Sequence, residues 1–156
     1  IALALATERP GWQVTAVDRD PAALAVAGDN ARRLGFGGIR FLASDWFAGL
    51  AGETFDLVVS NPPYLASDDP HLAGPELAHE PRRALVAGPT GLEDLSRLAA
   101  AAPVQLAPGG WLLLEHGAEQ GEAVRGLLAA AGFGAVATHR DLAGLERVSG
   151  GLCHAQ

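Results

Sequence analysis

Phe55-Asp56-Leu57-Val58-Val59-Ser60-Asn61-Pro62-Pro63-Tyr64 is the stretch that decides how this chain is read. Its apolar first half reads as a buried strand, residues 55–60. The second half cannot continue one. The residue before a proline is pushed toward an extended conformation, and two successive prolines fix φ and remove two backbone donors. The result is a stiff polar corner at a strand's carboxyl end, the place where open α/β sheets bind ligands. The corner presents two acceptors, the Asn61 side-chain oxygen and the Pro62 carbonyl, and no competing backbone donor. Two acceptors at fixed spacing suit an NH2 group, which has two hydrogens to donate. A planar NH2 conjugated to a carbonyl or a ring is a weak nucleophile. Holding both hydrogens aims its nitrogen at an electrophile, which is catalysis by positioning and by preorganised dipoles. Tyr64 can pack against the flat group. The plainer alternative is a structural turn at the end of a strand.

Outward from this corner, strands and helices alternate. Residues 1–8 read as the end of a helix, stopped by Pro10-Gly11. A strand at 13–17 ends at Asp18. Asp20 caps a helix with Pro21 in its first turn, and that helix runs to Leu34 and stops at Gly35. A strand at 39–43 leads to Ser44-Asp45-Trp46. Residues 65–90 are rich in Pro, His, Asp and Gly without a period, and a loop of that length needs a functional reason. A helix is expected at 91–106, a turn at Pro108-Gly109-Gly110, a strand at 111–115 and a helix at 119–131 closed by Gly132. Two weaker strands, near 134–140 and 146–149, have no helix between them and are expected to pair antiparallel at one edge. The alternation predicts an α/β fold with a mostly parallel sheet.

Composition narrows the function classes. The 156 residues are enough for one domain with its own core. No apolar run approaches the ~18 residues of a membrane span, and with Thr7, Glu8 and Arg9 the opening residues are not expected to be a signal peptide. Every basic residue is Arg, and the formal net charge of −7 argues against a broad phosphate-binding face. The single Cys153 excludes an internal disulfide framework and fits a reducing cytoplasm. The chain begins at Ile1 and holds no Met, so it is expected to be part of a longer protein.

Asp18, at the end of the first visible strand, is placed to accept hydrogen bonds from ribose hydroxyls, or is a solvated strand-end carboxylate. Asp45-Trp46 ends the next strand. There a carboxylate or nearby backbone could meet an adenine edge with the indole on the ring; the alternative is a turn-forming Asp beside a core Trp. The Gly-rich loop that should precede this unit is absent, and Gly35-Phe36-Gly37-Gly38 is a helix stop rather than a substitute. His71, His79, His116, His139 and His154 lack metal-ligand spacing, and Asp68-Asp69 reads as a turn, so no metal site is expected. No nucleophile elbow supports a Ser/His/Asp arrangement.

These residues resemble a known family. Asn61-Pro62-Pro63-Tyr64 after a strand looks like the motif of class I S-adenosylmethionine-dependent methyltransferases acting on amino groups. His79-Glu80-Pro81-Arg82-Arg83-Ala84-Leu85, Gly91-Leu92, Pro108-Gly109-Gly110, Leu114-Glu115-His116-Gly117 with Gln120, and Asp141 with Glu146-Arg147 narrow the resemblance to the HemK-type protein-glutamine methyltransferases. These methylate the glutamine of the Gly-Gly-Gln motif in peptide chain release factors. The resemblance implies a Rossmann-like, seven-stranded sheet with an antiparallel strand at its edge, and S-adenosylmethionine as cofactor. It places Asp18 on the ribose, Asp45 and Trp46 beside the adenine, and Asn61 near the cofactor's methionine end. Asn61, Pro62, Pro63 and Tyr64 surround the substrate glutamine, with Asn61, Pro62 and Tyr64 carrying catalysis.

Residues 1–156 are thus expected to be a single catalytic domain lacking its first strand, its Gly-rich loop and an N-terminal helical substrate-recognition domain. The expected partner is a release factor, in the cytoplasm, with no direct nucleic-acid or membrane contact. Two other readings stay open. One is a DNA or RNA amino-group methyltransferase, which shares the tetrapeptide but fits the acidic charge poorly. The other is an inactive fragment, since without the Gly-rich loop cofactor binding is expected to be weak or absent.

Overall fold

The structure, a computed structural model, describes residues 1–154. The chain forms two compact units, Ile1–Glu53 and Thr54–Gln156.

In the first unit, helix α1 (Ala2–Glu8) has no side-chain cap. Strand β1 (Thr15–Asp18) is followed by helix α2 (Pro21–Arg33) and strand β2 (Arg40–Ala43), and the two strands pair in parallel with Asp18 opposite Ala43. The ends of α2 follow from its sequence. The Asp20 carboxylate accepts from the Ala22 N–H at 2.9 Å, and Pro21 starts the first turn. At the other end Gly35 takes a φ of +80°. The Gly35 and Phe36 N–H groups turn back to the carbonyls of Arg32 and Ala31 at 3.1 and 2.8 Å, which is the Schellman pattern that a left-handed glycine permits.

The second unit carries most of the buried apolar side chains. Strand β3 (Phe55–Ser60) occupies the residues expected of it. Residues 65–90 hold only a 3-10 turn at Pro70–Ala73 and the single-turn helix α3 (Arg82–Leu85). Helix α4 (Glu93–Ala101) leads to strand β4 (Leu106–Glu115), helix α5 (Gly121–Ala130) and strands β5 (Gly134–Arg140) and β6 (Glu146–Leu152). The sheet order is β3-β4-β6-β5. Strands β3 and β4 run parallel, while β6 runs antiparallel to both β4 and β5. The expected antiparallel pair therefore lies at the sheet edge, with β6 as its inner member. Of the seven strands that the resemblance implies, six occur among the described residues, two in one sheet and four in the other.

Helical spacing explains the core. Leu95, Leu98 and Ala99 on α4, and Val124 and Leu128 on α5, recur at three- and four-residue intervals and are buried together with Leu112 and Leu114 of β4. Burying each larger side chain contributes about 1.5–3 kcal/mol.

Several boundaries differ from expectation, and two of the differences have a clear local cause. The helix expected to reach residue 106 ends at Ala101 and tightens into a 3-10 turn at Ala102–Val104, because Pro103 has no N–H with which to continue the ladder. Pro108-Gly109-Gly110 turns the chain as expected, but within β4. Phe55 faces Leu106 and Leu57 faces Trp111, so the extra residues of β4 bulge out between those two pairs. Gly109, at φ +81°, provides the bend.

Candidate active site

Strand β3 delivers Asn61 to the surface and turns Pro62 fully inward, while Pro63 and Tyr64 are half-buried. No hydrogen bond to the Asn61 side chain is found among the described residues, so its amide faces outward with its acceptor unused. Pro62 and Pro63 have no N–H. Tyr64 and Leu65 supply the next two, and both donate to the Leu85 carbonyl, at 3.2 and 2.9 Å. The Ala87 N–H donates to Leu65 at 3.0 Å and the Ser67 N–H to Gly88 at 2.8 Å. Residues 85–88 therefore run beside 64–67, and Leu65 and Val86 form a parallel bridge. The Arg82 guanidinium closes this arrangement by donating to the Ser67 carbonyl at 2.8 Å. The long irregular segment is thus folded back on the corner.

Between them lies a cleft of about 190 Å³, lined by Asn61 to Leu65 and by His71, Leu77, Ala84 and Leu85. One wall is polar at Asn61 and the other largely apolar. The sequence gives His71 no metal-ligand spacing and no other role, yet it lines this cleft. Its Nδ1 lies 2.8 Å from Asp69 Oδ1, and its backbone N–H donates to the same oxygen at 2.9 Å. These two hydrogen bonds, the backbone one foremost, hold the Asp69 carboxyl below its ordinary range. His79 is exposed.

The corner has a second support. Gln120 Nε2 donates to the carbonyls of Tyr64 and Gly91, at 3.0 and 3.3 Å, and its Oε1 accepts from the Gly117 N–H at 2.8 Å. The Gln120 N–H returns to the Gly117 carbonyl at 2.9 Å, a reciprocal pairing like that of a capping box. Gly91 takes a φ of +75°, and a Cβ there would sit 2.4 Å from the Tyr64 oxygen. Only glycine lets the segments approach this closely.

Behind Gly117 runs a buried polar chain. His116 Nδ1 lies 2.8 Å from the Gly117 carbonyl and Nε2 lies 2.8 Å from Ser149 Oγ. A carbonyl can only accept, so Nδ1 carries the hydrogen and, in the neutral ring, Nε2 accepts from the Ser149 hydroxyl. Ser149 in turn meets Thr138 at 2.7 Å, and Thr138 accepts from Arg125 at 2.7 Å. Sequence reasoning missed this hub. Among the described residues no group of three His, Cys, Asp or Glu is arranged to hold a metal ion.

In the first unit, Asp18 and the Ser44–Trp46 turn lie together at one end of the strand pair, joined by the Ser44 N–H donating to the Asp18 carbonyl at 3.0 Å. The Asp18 carboxylate is exposed and accepts from the Asp20 N–H at 2.8 Å. Trp46 holds a φ of 51°, unusual for a bulky side chain, and its carbonyl accepts from Ser44 Oγ at 2.7 Å. The same hydroxyl accepts from the Gly49 N–H at 2.8 Å and stabilises the turn. A strained backbone at a strand end is a common mark of a ligand site.

Comparison with known proteins shows the family and the fold. The family model described as Methyltransferase small domain matches residues 1–90. Proteins named release factor glutamine methyltransferase are similar along nearly the whole chain. The one from Xylella fastidiosa is 53% identical over 98% of this chain and 56% of its own length. Those of Salmonella typhimurium and Escherichia coli are 52% and 48% identical, each over 54% of its own length. The chain spans about half the length of these relatives. Among solved structures, a methyltransferase from Pyrococcus furiosus aligns with TM-score 0.70 at 20% identity, covering 98% of this chain and 68% of that one. A ribosomal protein L11 methylase from Lactobacillus delbrueckii aligns with TM-score 0.67 at 18% identity, covering 99% of this chain and 64% of that one. At such identities the likeness shows the fold, the α/β architecture of class I methyltransferases.

Proposed function

The chain belongs to the methyltransferase small domain family, and we propose that in the intact protein it moves the methyl group of S-adenosylmethionine to the side-chain amide nitrogen of the glutamine in the Gly-Gly-Gln motif of peptide chain release factors. The observation that carries this reading is the exposed Asn61 amide on a corner whose two prolines supply no competing donor, beside a cleft wide enough for a side chain. The relatives' names support the glutamine substrate.

S-adenosylmethionine, when bound, would supply an electrophilic methyl, with the electron pair of the broken S–CH3 bond staying on sulfur as S-adenosylhomocysteine leaves. Asp18 would hold the ribose hydroxyls, and Asp45 and Trp46 the adenine. The exposed Asp18 carboxylate and the strained Trp46 turn fit such a ligand. At the substrate, Asn61 Oδ1 and the Pro62 carbonyl would each accept one amide hydrogen, while Pro63 and Tyr64 flank the group. This fixes the nitrogen and favours its pyramidal, nucleophilic form. The proton shed once the new bond has formed leaves by way of Asn61 Oδ1, which opens to water. No strong base is required.

Residues 1–156 would act as one catalytic domain. The net charge of −7 speaks against direct nucleic-acid binding. No helix among the described residues is long and apolar enough to cross a membrane, and the reaction is proposed for the cytoplasm, where release factors act. The test is transfer of labelled methyl from S-adenosylmethionine by the intact protein, offered a release factor, DNA and RNA in parallel. Label in the release factor alone is expected. Label in a nucleic acid would replace this reading with that of a nucleobase methyltransferase.

A further inference from the structure

Tyr64 closes the substrate corner, and it is the first residue after the two prolines with an N–H to donate. Both of its main-chain polar groups are bonded, the N–H to Leu85 and the carbonyl to Gln120 Nε2 at 3.0 Å. The second bond spans 56 positions of sequence. Gln120 also donates to Gly91 and accepts from Gly117, so one side-chain amide uses both hydrogens and its oxygen to join three segments. These are the exit of the corner, the approach to α4 and the end of β4. The orientation of the amide is dictated by its partners. Two carbonyl oxygens face the nitrogen and an N–H faces the oxygen. Gly117, which orients Gln120, is itself held through its carbonyl by buried His116.

We infer that Gln120 is a positioning residue for methyl transfer, acting through the Tyr64 carbonyl to hold the Asn61–Tyr64 corner at the geometry the reacting amide requires. This rests on the reading of that corner as the substrate site. The prolines explain why a remote side chain is needed. Having given up two backbone donors, the corner keeps few main-chain bonds of its own, and its exit is tied down at Tyr64. A displacement of about 1 Å at a reacting centre costs up to ~100-fold in rate.

Two substitutions in the intact protein separate donation toward Tyr64 from general support. Gln120→Glu keeps an acceptor for the Gly117 N–H but turns oxygen toward the Tyr64 and Gly91 carbonyls. Gln120→Lys keeps donors for those carbonyls and loses the acceptor. The readouts are kcat with a saturating release factor, the KM for S-adenosylmethionine and the thermal midpoint. Gln120→Glu is expected to lower kcat about 10- to 100-fold with the KM for S-adenosylmethionine unchanged, and Gln120→Lys to lose markedly less. Should the Glu variant not fold, Gln120→Met, which makes neither bond, takes its place against Lys. Wild-type kcat in the Glu variant (or in Met, where it stands in), or equal losses in both variants that follow the thermal midpoint, would overturn the inference. A wild-type protein that leaves the release factor unmethylated would instead overturn the functional reading, and this inference with it.

Discussion

His116 Nε2 and Ser149 Oγ lie 2.8 Å apart, and both side chains are fully buried. With Nδ1 committed to the Gly117 carbonyl, Nε2 has the Ser149 hydroxyl as its hydrogen-bond partner. Ser149→Ala leaves a buried imidazole acceptor unsatisfied, which costs about 1–3 kcal/mol. Chemical denaturation should show that loss with an unchanged slope. A variant as stable as the wild type would remove His116 from the account of what holds the end of β4.

Gly91→Ala tests the close approach behind the corner. A Cβ there would lie 2.4 Å from the Tyr64 carbonyl oxygen, and the φ of +75° is unfavourable for any residue with a Cβ. The expected cost is about 1–3 kcal/mol, together with reduced methyl transfer, because the atom that is struck belongs to the corner itself. An alanine variant with wild-type midpoint and rate would contradict this geometry.

Acid should loosen the second unit at identifiable points. Glu93 accepts from the Thr90 N–H and hydroxyl, each at 3.0 Å, and the backbone bond holds its carboxyl below the usual range. The backbone N–H of Leu145, then Arg147, does the same for Asp141 in the β5–β6 turn. A carboxyl depressed in the folded state contributes stability that is present above its unfolded pKa and lost as pH falls through its folded one. The thermal midpoint should therefore hold from neutrality down to about pH 4 and drop below it. Glu93→Gln with Asp141→Asn should flatten that drop. An unchanged acid profile in the double variant would assign it to other groups.

What was legible in the sequence was what depends on near neighbours. The Asp20-Pro21 cap, the Gly35 stop, the full extent of β3 and the final antiparallel pair are local signals, and each appears where expected. The end of α4 at Ala101 was also local, carried by Pro103, but the Ala-rich pattern on either side masked it. The corner itself was legible because prolines restrict their own backbone. Its supports were not. Gln120 meets Tyr64 across 56 positions and His116 meets Ser149 across 33. Such pairings depend on strand order, and β6 lies between β4 and β5 out of chain order. The reciprocal Gly117–Gln120 spacing was the one local hint of that network.

Asn61 is exposed and makes no side-chain hydrogen bond among the described residues. Asn61→Ala should accordingly leave the thermal midpoint unchanged while lowering kcat by about 100-fold or more, the scale of losing one preorganised polar contact to the reacting group. A lowered midpoint would make Asn61 a structural residue instead.

The most direct measurement of the central claim is tandem mass spectrometry of the Gly-Gly-Gln peptide of a release factor, after incubation with S-adenosylmethionine and either the intact wild-type protein or its Asn61→Ala variant. The account predicts one methyl on the glutamine side-chain nitrogen with the wild type and essentially none with the variant over the same time. Methyl on another residue, or equal modification by both proteins, would contradict it.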